Sequence, residues 1–186
     1  MINKNTMATD QQAALNRFLA SVERRAFRMA QIATGNTDDA LDIVQDAMMT
    51  LVRKYSDKPE AEWGALFHTI LQSRIRDAYR RSSVRNRLRS WLHQDEDDDT
   101  DPMDELPDQH GKNPEQRLRL DDAADALNAA LHELPLRQQQ AFLLRNWEGL
   151  DVAQTAQAKG CTEGTVKTHY SRAVHSLRAT LEDHWQ

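Results

Sequence analysis

A chain of 186 residues has room for one ordinary domain or two small ones, and 39% hydrophobic with 28% charged residues is a soluble, globular composition. No stretch approaches the roughly 18 uncharged apolar residues of a membrane-crossing helix, and MINKNTMATDQQ lacks the basic-then-apolar order of a secretion signal, so no membrane insertion is expected and the expected compartment is cytoplasmic. The single cysteine, Cys161, excludes an internal disulfide and a cysteine-cluster zinc site, while a net charge of -5 would argue against nucleic acid only if it were evenly spread.

Glycine and proline are rare and apolar residues recur at spacings of three and four, which predicts an all-α fold. A first helix over about 11–34 carries the stripe Leu15, Phe18, Leu19, Val22, Ala26, Met29 and Ala30. GNTDDA then ends it and starts the next: Gly35 suits a C-terminal stop, Asn36 or Thr37 can cap, and Asp38 and Asp39 complement the positive helix end. The second helix runs to about Tyr55 and is expected to bury Leu41, Val44, Met48, Leu51 and Val52 before SDKPE breaks it. A third, from about Glu60, turns Trp63, Leu66, Phe67, Ile70 and Leu71 inward and continues into a basic run with Tyr79 interleaved.

Between Arg74 and Arg89 stand seven arginines against one acid, Asp77; the sign then flips, and DEDDDTDPMDELPD over 95–108 carries nine acids and no base. Such a segment has too little apolar surface to form a core or to offset the entropy of ordering. Residues 83–113 therefore read as a flexible acidic linker between an N-terminal domain, 1–82, and a C-terminal domain, 114–186, each a small helical bundle near the lower size limit for a self-standing core. Trp91 and Leu92 are the apolar residues that could anchor the linker near its start.

Beyond it, NPEQRLRLDDAADALNAALHELP opens on a proline suited to a first helical turn and stops at Pro135. LRQQQAFLLRNWEG follows, with Ala141, Phe142, Leu144 and Trp147 toward a core and Gly149 closing it. LDVAQTAQAKG, a turn at Gly160 and Cys161, and a final helix capped by Thr162 have the spacing of a helix-turn-helix. Val166, Tyr170, Ala173, Val174 and Leu177 form its packing face, and Ala156 suits a close approach of the two helices. Glu163, Thr165, Lys167, Thr168, Ser171 and Arg172 form a polar side able to reach base edges and phosphates, although any surface helix has a polar side.

Three stretches together resemble the extracytoplasmic-function (ECF, group IV) bacterial RNA polymerase sigma factors. DALDIVQDAMMTLVRKY resembles the family's polymerase-binding helix, with Asp42, Val44, Gln45 and Asp46 on its D-x-V-Q-[DE] core; WGALFHTILQSRIRDAYRR is similar to the segment that reads and opens the near-start promoter element; and LPLRQQQAFLLRNWEGLDVAQTAQAKGCTEGTVKTHYSRAVHSLR resembles the domain that reads the upstream element. The resemblance implies a sigma subunit that binds core RNA polymerase and promoter DNA, reads the -10 and -35 elements and aids melting, with an anti-sigma factor as a further partner, no cofactor and no metal. Core polymerase would meet Asp42, Gln45, Asp46 and Arg53. The near-start element would meet Ser73, Arg74, Arg76, Tyr79, Arg80 and Arg81, and the upstream element Lys167, Thr168, Ser171 and Arg172, with Arg145 reaching its backbone. The acidic linker would either occupy a basic path in the polymerase cleft or serve as a plain tether.

The chain departs from its relatives at Leu66 and Ser73, where many have tryptophan and asparagine, and at Ala153, Thr155 and Lys159, where glutamate, isoleucine and leucine are usual; the last group is expected to weaken the apolar contact between the paired helices. Cys161 reads as a small buried turn residue. Catalysis is not expected: Asp38, Asp42 and Asp46 are spaced for a cation but lack an E-x-x-H partner, no nucleophile sits in a motif, and no glycine loop cradles phosphate. A freestanding helix-turn-helix regulator is the alternative, since GTVKTHYSRA is also similar to regulator output domains, although residues 1–82 do not resemble their sensing domains. A pure clamp-binding interaction protein is a third reading, and it has no use for Lys167 and Arg172.

Overall fold

The computed structural model describes residues 4–91 and 122–182, and among them every regular element is helical. The helices are α1 (Lys4–Thr34), α2 (Thr37–Tyr55), α3 (Glu60–Trp91), α4 (Asp122–His132), α5 (Leu136–Asn146), α6 (Val152–Lys159) and α7 (Glu163–Glu182). The acidic stretch 95–108, Leu92 and the proline-led start at Pro114 lie outside the described residues. α1 begins earlier than its apolar stripe, and α3 runs to Trp91, past Ser83, the expected start of the linker.

The boundaries follow the local chemistry. Gly35 takes φ 65°, a left-handed conformation open to glycine, and ends α1. The Asn36 side chain accepts from the Asp39 amide at 3.0 Å, capping α2, whose first turn carries Asp38 and Asp39. Gly149 and Gly160 adopt the same left-handed φ at the ends of the α5 and α6 segments. α6 opens on a reciprocal cap: Asp151 accepts from the Gln154 amide at 2.8 Å while the Gln154 side chain accepts from the Asp151 amide at 2.9 Å.

α1, α2 and α3 pack around Leu15, Val22, Met29, Val44, Leu51, Trp63, Phe67 and Leu71, all buried. Phe18 sits against Trp63 and Phe67 with ring centres 5.9 and 6.1 Å away, and the Trp63 indole donates to the Tyr55 carbonyl at 3.2 Å, tying the α2–α3 turn to the core. Leu41 corrects the sequence reading: it is 53% exposed. Ala40, Ile43, Val44, Ala47 and Leu51 are the buried residues of α2, and Leu41 lies one step, about 100°, around the helix from Ala40, whose small side chain suits a closely packed position.

α4 to α7 form a second group around Leu131, Leu134, Leu144, Val166, Ala173 and Leu177. The two groups touch. His132 Nδ1 lies 2.6 Å from the Ile32 carbonyl, Gln139 Nε2 donates to the same carbonyl at 3.5 Å, Gln140 Nε2 donates to the Gln72 carbonyl at 3.4 Å, and Arg76 Nη1 donates to the Lys159 carbonyl at 3.1 Å. Gly35 is placed at this seam: a Cβ there would sit 3.0 Å from His132 Cε1.

Candidate nucleic-acid interface

Three helix faces carry the residues singled out in the sequence. On α2, Asp42, Gln45 and Asp46 are exposed at positions that share one side of the helix, and Arg53 is exposed two turns on. Asp39, Asp42, Gln45, Asp46 and Met49 line an open cleft whose other wall is Arg74, Asp77, Ala78 and Arg81 of α3. Arg74 crosses it, with Nε 3.3 Å from Asp46 Oδ2 and Nη2 donating to Thr50 Oγ1 at 3.4 Å.

The α3 residues therefore do not share one face. Arg74 and Arg81, seven apart, look toward α2, whereas Arg76 turns toward α6. Ser73 and Tyr79 are half-buried, and Arg80 and Arg81 are exposed. Burial lowers the pKa of the Arg76 guanidinium from its ordinary value; Arg137 lowers it further, while Asp77 acts in the opposite sense.

On α7, Lys167, Thr168, Ser171 and Arg172 form one exposed stripe. Thr162 Oγ1 accepts from the Thr165 amide at 3.2 Å, capping the helix as the sequence suggests. Val166, Ala173 and Leu177 are buried on the opposite side, with Tyr170 and Val174 half-buried. Arg145 braces this helix: its Nη1 donates to the Leu150 carbonyl at 2.6 Å and its guanidinium lies 5.8 Å from the Tyr170 ring centre, while Phe142 stacks on the same tyrosine at 6.2 Å.

The paired helices are joined by a polar anchor. Thr155 is fully buried, its hydroxyl donating to the Asp151 carbonyl at 2.7 Å. Lys159 is 1% exposed; its Nζ donates to the Arg137 carbonyl at 2.6 Å and lies 3.1 Å from His169 Nδ1, so one ammonium group links α6 to both α5 and α7. Burial pushes the Lys159 pKa down to about 8; Cys161 opposes the shift, and Arg137 and Arg76 add to it. The position expected to weaken an apolar contact thus carries a buried electrostatic one. Cys161 is only half-buried in the turn.

Residues 15–85 match the Sigma-70 region 2 family and residues 124–177 the Sigma-70 region 4 family. The RNA polymerase sigma-E factor of Streptomyces antibioticus is 31% identical over 150 residues, covering 77% of this chain and 71% of that protein. The ECF RNA polymerase sigma factor EcfG of Rhodopseudomonas palustris is 30% identical over 158 residues, covering 84% of this chain and 78% of that one. This chain belongs to the ECF family of RNA polymerase sigma factors. A longer relative, SigE of Mycolicibacterium smegmatis, is 29% identical over 186 residues, and the match covers 95% of this chain and 66% of SigE. The fold is also that of the sigma factor RpoE solved with the anti-sigma factor NepR from Bartonella quintana, with a TM-score of 0.64 over 90% of this chain and 96% of that one at 24% identity. Sigma factors are the subunits that give RNA polymerase its promoter selectivity.

Sequence reasoning missed one part of this sigma factor's polar architecture. Glu148, whose side chain is 5% exposed, receives Arg25 Nε at 2.9 Å and His68 Nε2 at 3.4 Å from the other helical group. Burial raises the pKa of that carboxyl, but hydrogen bonding and charge from His68, and then from Arg25, outweigh it and hold the group below its ordinary value. Because Arg25 lies 123 positions from Glu148 and His68 is also distant in the sequence, no local pattern announces the cluster.

Proposed function

We propose that this sigma factor docks on core polymerase through Asp42, Gln45, Asp46 and Arg53, and contacts the near-start element through Ser73, Arg74, Arg76, Tyr79, Arg80 and Arg81. Lys167, Thr168, Ser171 and Arg172 then contact the upstream element, with Arg145 behind them. It acts in the cytoplasm as two domains, 1–82 and 114–186, on either side of a connector over 83–113, and catalyses no covalent step. Support comes from one observation above all: a carboxylate-rich row on α2 and a basic, hydroxyl-bearing stripe on α7 are both exposed, on separate helical groups of one chain. The acidic row suits a basic protein surface, and the basic stripe suits phosphates and guanine edges. An anti-sigma factor is the inhibitor proposed by analogy with the Bartonella quintana complex.

Sequencing the transcripts made by core polymerase with this chain tests the reading. A discrete set of start sites, each preceded by two shared motifs, is expected. Tight, specific binding of a duplex by the chain alone, with no transcription when core polymerase is added, would overturn it.

A further inference from the structure

Which side of α7 faces outward depends on how the helix is rolled about its own axis. Its buried stripe, Val166, Ala173 and Leu177, includes two small side chains, and apolar contact has no direction of its own, so the stripe alone fixes the roll loosely. His169 and Tyr170 flank the stripe on opposite sides, about 60° and 40° around the helix from Val166. Tyr170 is held from α5, by the Phe142 ring and the Arg145 guanidinium. His169 is held from α6, with Lys159 Nζ 3.1 Å from its Nδ1. An ammonium group only donates, so Nδ1 accepts and the ring proton sits on Nε2. The same ammonium donates to the Arg137 carbonyl at 2.6 Å on a buried side chain, and so the donor cannot follow α7 if the helix rolls. A pKa of about 8 leaves it mostly charged at neutral pH. The groups around the pair are chiefly cationic: Arg137 on α5 and Arg76 on α3 donate to the Lys159 carbonyl at 3.3 and 3.1 Å, and Arg172 follows His169 on α7. Cys161 in the turn opposes their effect on the ammonium, and α4, which also packs on α7, ends on His132 with Glu133 next in the chain.

We propose that Lys159 and His169 are positioning residues for the upstream contact: their bond fixes the roll of α7, and protonation of the His169 ring breaks it, so that recognition of the upstream element fails in acid. The proposal rests on the reading that α7 contacts that element. A second proton on the ring removes the lone pair that Lys159 binds and sets two cations against each other among the arginines. A roll of about 20° carries a side-chain tip roughly 6 Å from the helix axis by about 2 Å, enough to take a donor out of hydrogen-bond range of a base edge. Lys167, Thr168, Ser171 and Arg172 would all shift together, because they share one rigid helix.

Core polymerase carrying the full chain is titrated onto a promoter fragment taken from the transcript map and onto the same fragment with its upstream motif scrambled. The ratio of the two affinities is followed from about pH 7.5 to about pH 5, across the range in which an imidazole takes its second proton. The native ratio is expected to fall at least about fivefold over that range. His169→Asn keeps an acceptor at the place of Nδ1 but cannot titrate, so its ratio should stay within about twofold of the native neutral value at every pH, while sharing any other acid transition. Lys159→Met, which lacks the donor, should start low and stay flat. Nitrogen NMR of the histidine rings in the free chain gives an independent reading: at about pH 7.5 His169 should carry its proton on Nε2, and Lys159→Met should shift its Nδ1 resonance. A native ratio as flat as that of His169→Asn, or a His169 proton on Nδ1, would overturn the proposal. Equal affinity of the native complex for both fragments at about pH 7.5 would instead sink the reading that α7 contacts the upstream element, while the ring spectra would still report whether the bond exists.

Discussion

Replacing Lys159 by methionine isolates the cost of a buried cation. Methionine nearly matches the length of the lysine stem, so the 1%-exposed site stays filled while the charge is removed. In the native chain the ammonium group titrates at about 8 instead of the ordinary 10.5. That difference corresponds to roughly 3 kcal/mol disfavouring the charged form in the folded state. Between these two values the unfolded chain binds more protons than the folded one, so native stability gains with rising pH across that window; below about 8 the full cost is present. Lost hydrogen bonds to the Arg137 carbonyl and His169 subtract on the order of 1 kcal/mol each from the variant, and they do so at every pH. The stability of Lys159→Met relative to the native chain should therefore fall by roughly 3 kcal/mol between pH 7 and pH 10.5, about 10 °C in Tm for a chain of this size. Urea titrations of both proteins at unit steps of pH measure it. Parallel profiles, separated by a constant offset, would refute the buried-ammonium argument.

Asn36→Ala should remove the cap on α2 and lower stability by about 1 kcal/mol, seen as a shift in urea midpoint, with Asn36→Asp close to the native value. Lys167→Ala and Arg172→Ala should each weaken the polymerase–promoter complex and reduce the magnitude of its log-affinity versus log-salt slope by about 1 if the residue neutralises a phosphate; a filter-binding series in salt reads the slope. Asp42→Arg should weaken binding to core polymerase at least tenfold in a fluorescence titration while leaving the melting temperature within about 2 °C, because the side chain is exposed.

Most of the helical architecture is legible locally because a buried stripe repeats with the helix: Leu15, Val22, Ala26, Met29 and Ala30 are found buried where periodicity puts them, and the stop at Gly35 and the caps at Asn36 and Thr162 need only neighbouring residues. Leu41 misleads because periodicity weighs size over geometry, and the inward position belongs to its small neighbour Ala40. The exposed stripe on α7 is readable for the same periodic reason. Glu148 with Arg25 and His68 is not, since a polar contact between distant segments leaves no repeat in either one. Lys159 stands between these cases: its oddity shows in comparison with the family's usual leucine, but its partners become visible only once α5 and α7 flank it.

The Arg74–Asp46 pair spans the cleft with side chains 40% and 61% exposed, and so contributes about 1 kcal/mol or less. Its members belong to different proposed tasks, one facing the enzyme and the other the promoter. Trading partners is consequently cheap: under the proposed assignment, a contact that took the carboxylate would leave the arginine open to a phosphate. On that assignment the two contacts would favour each other reciprocally, each by no more than the pair itself is worth, about 1 kcal/mol or less.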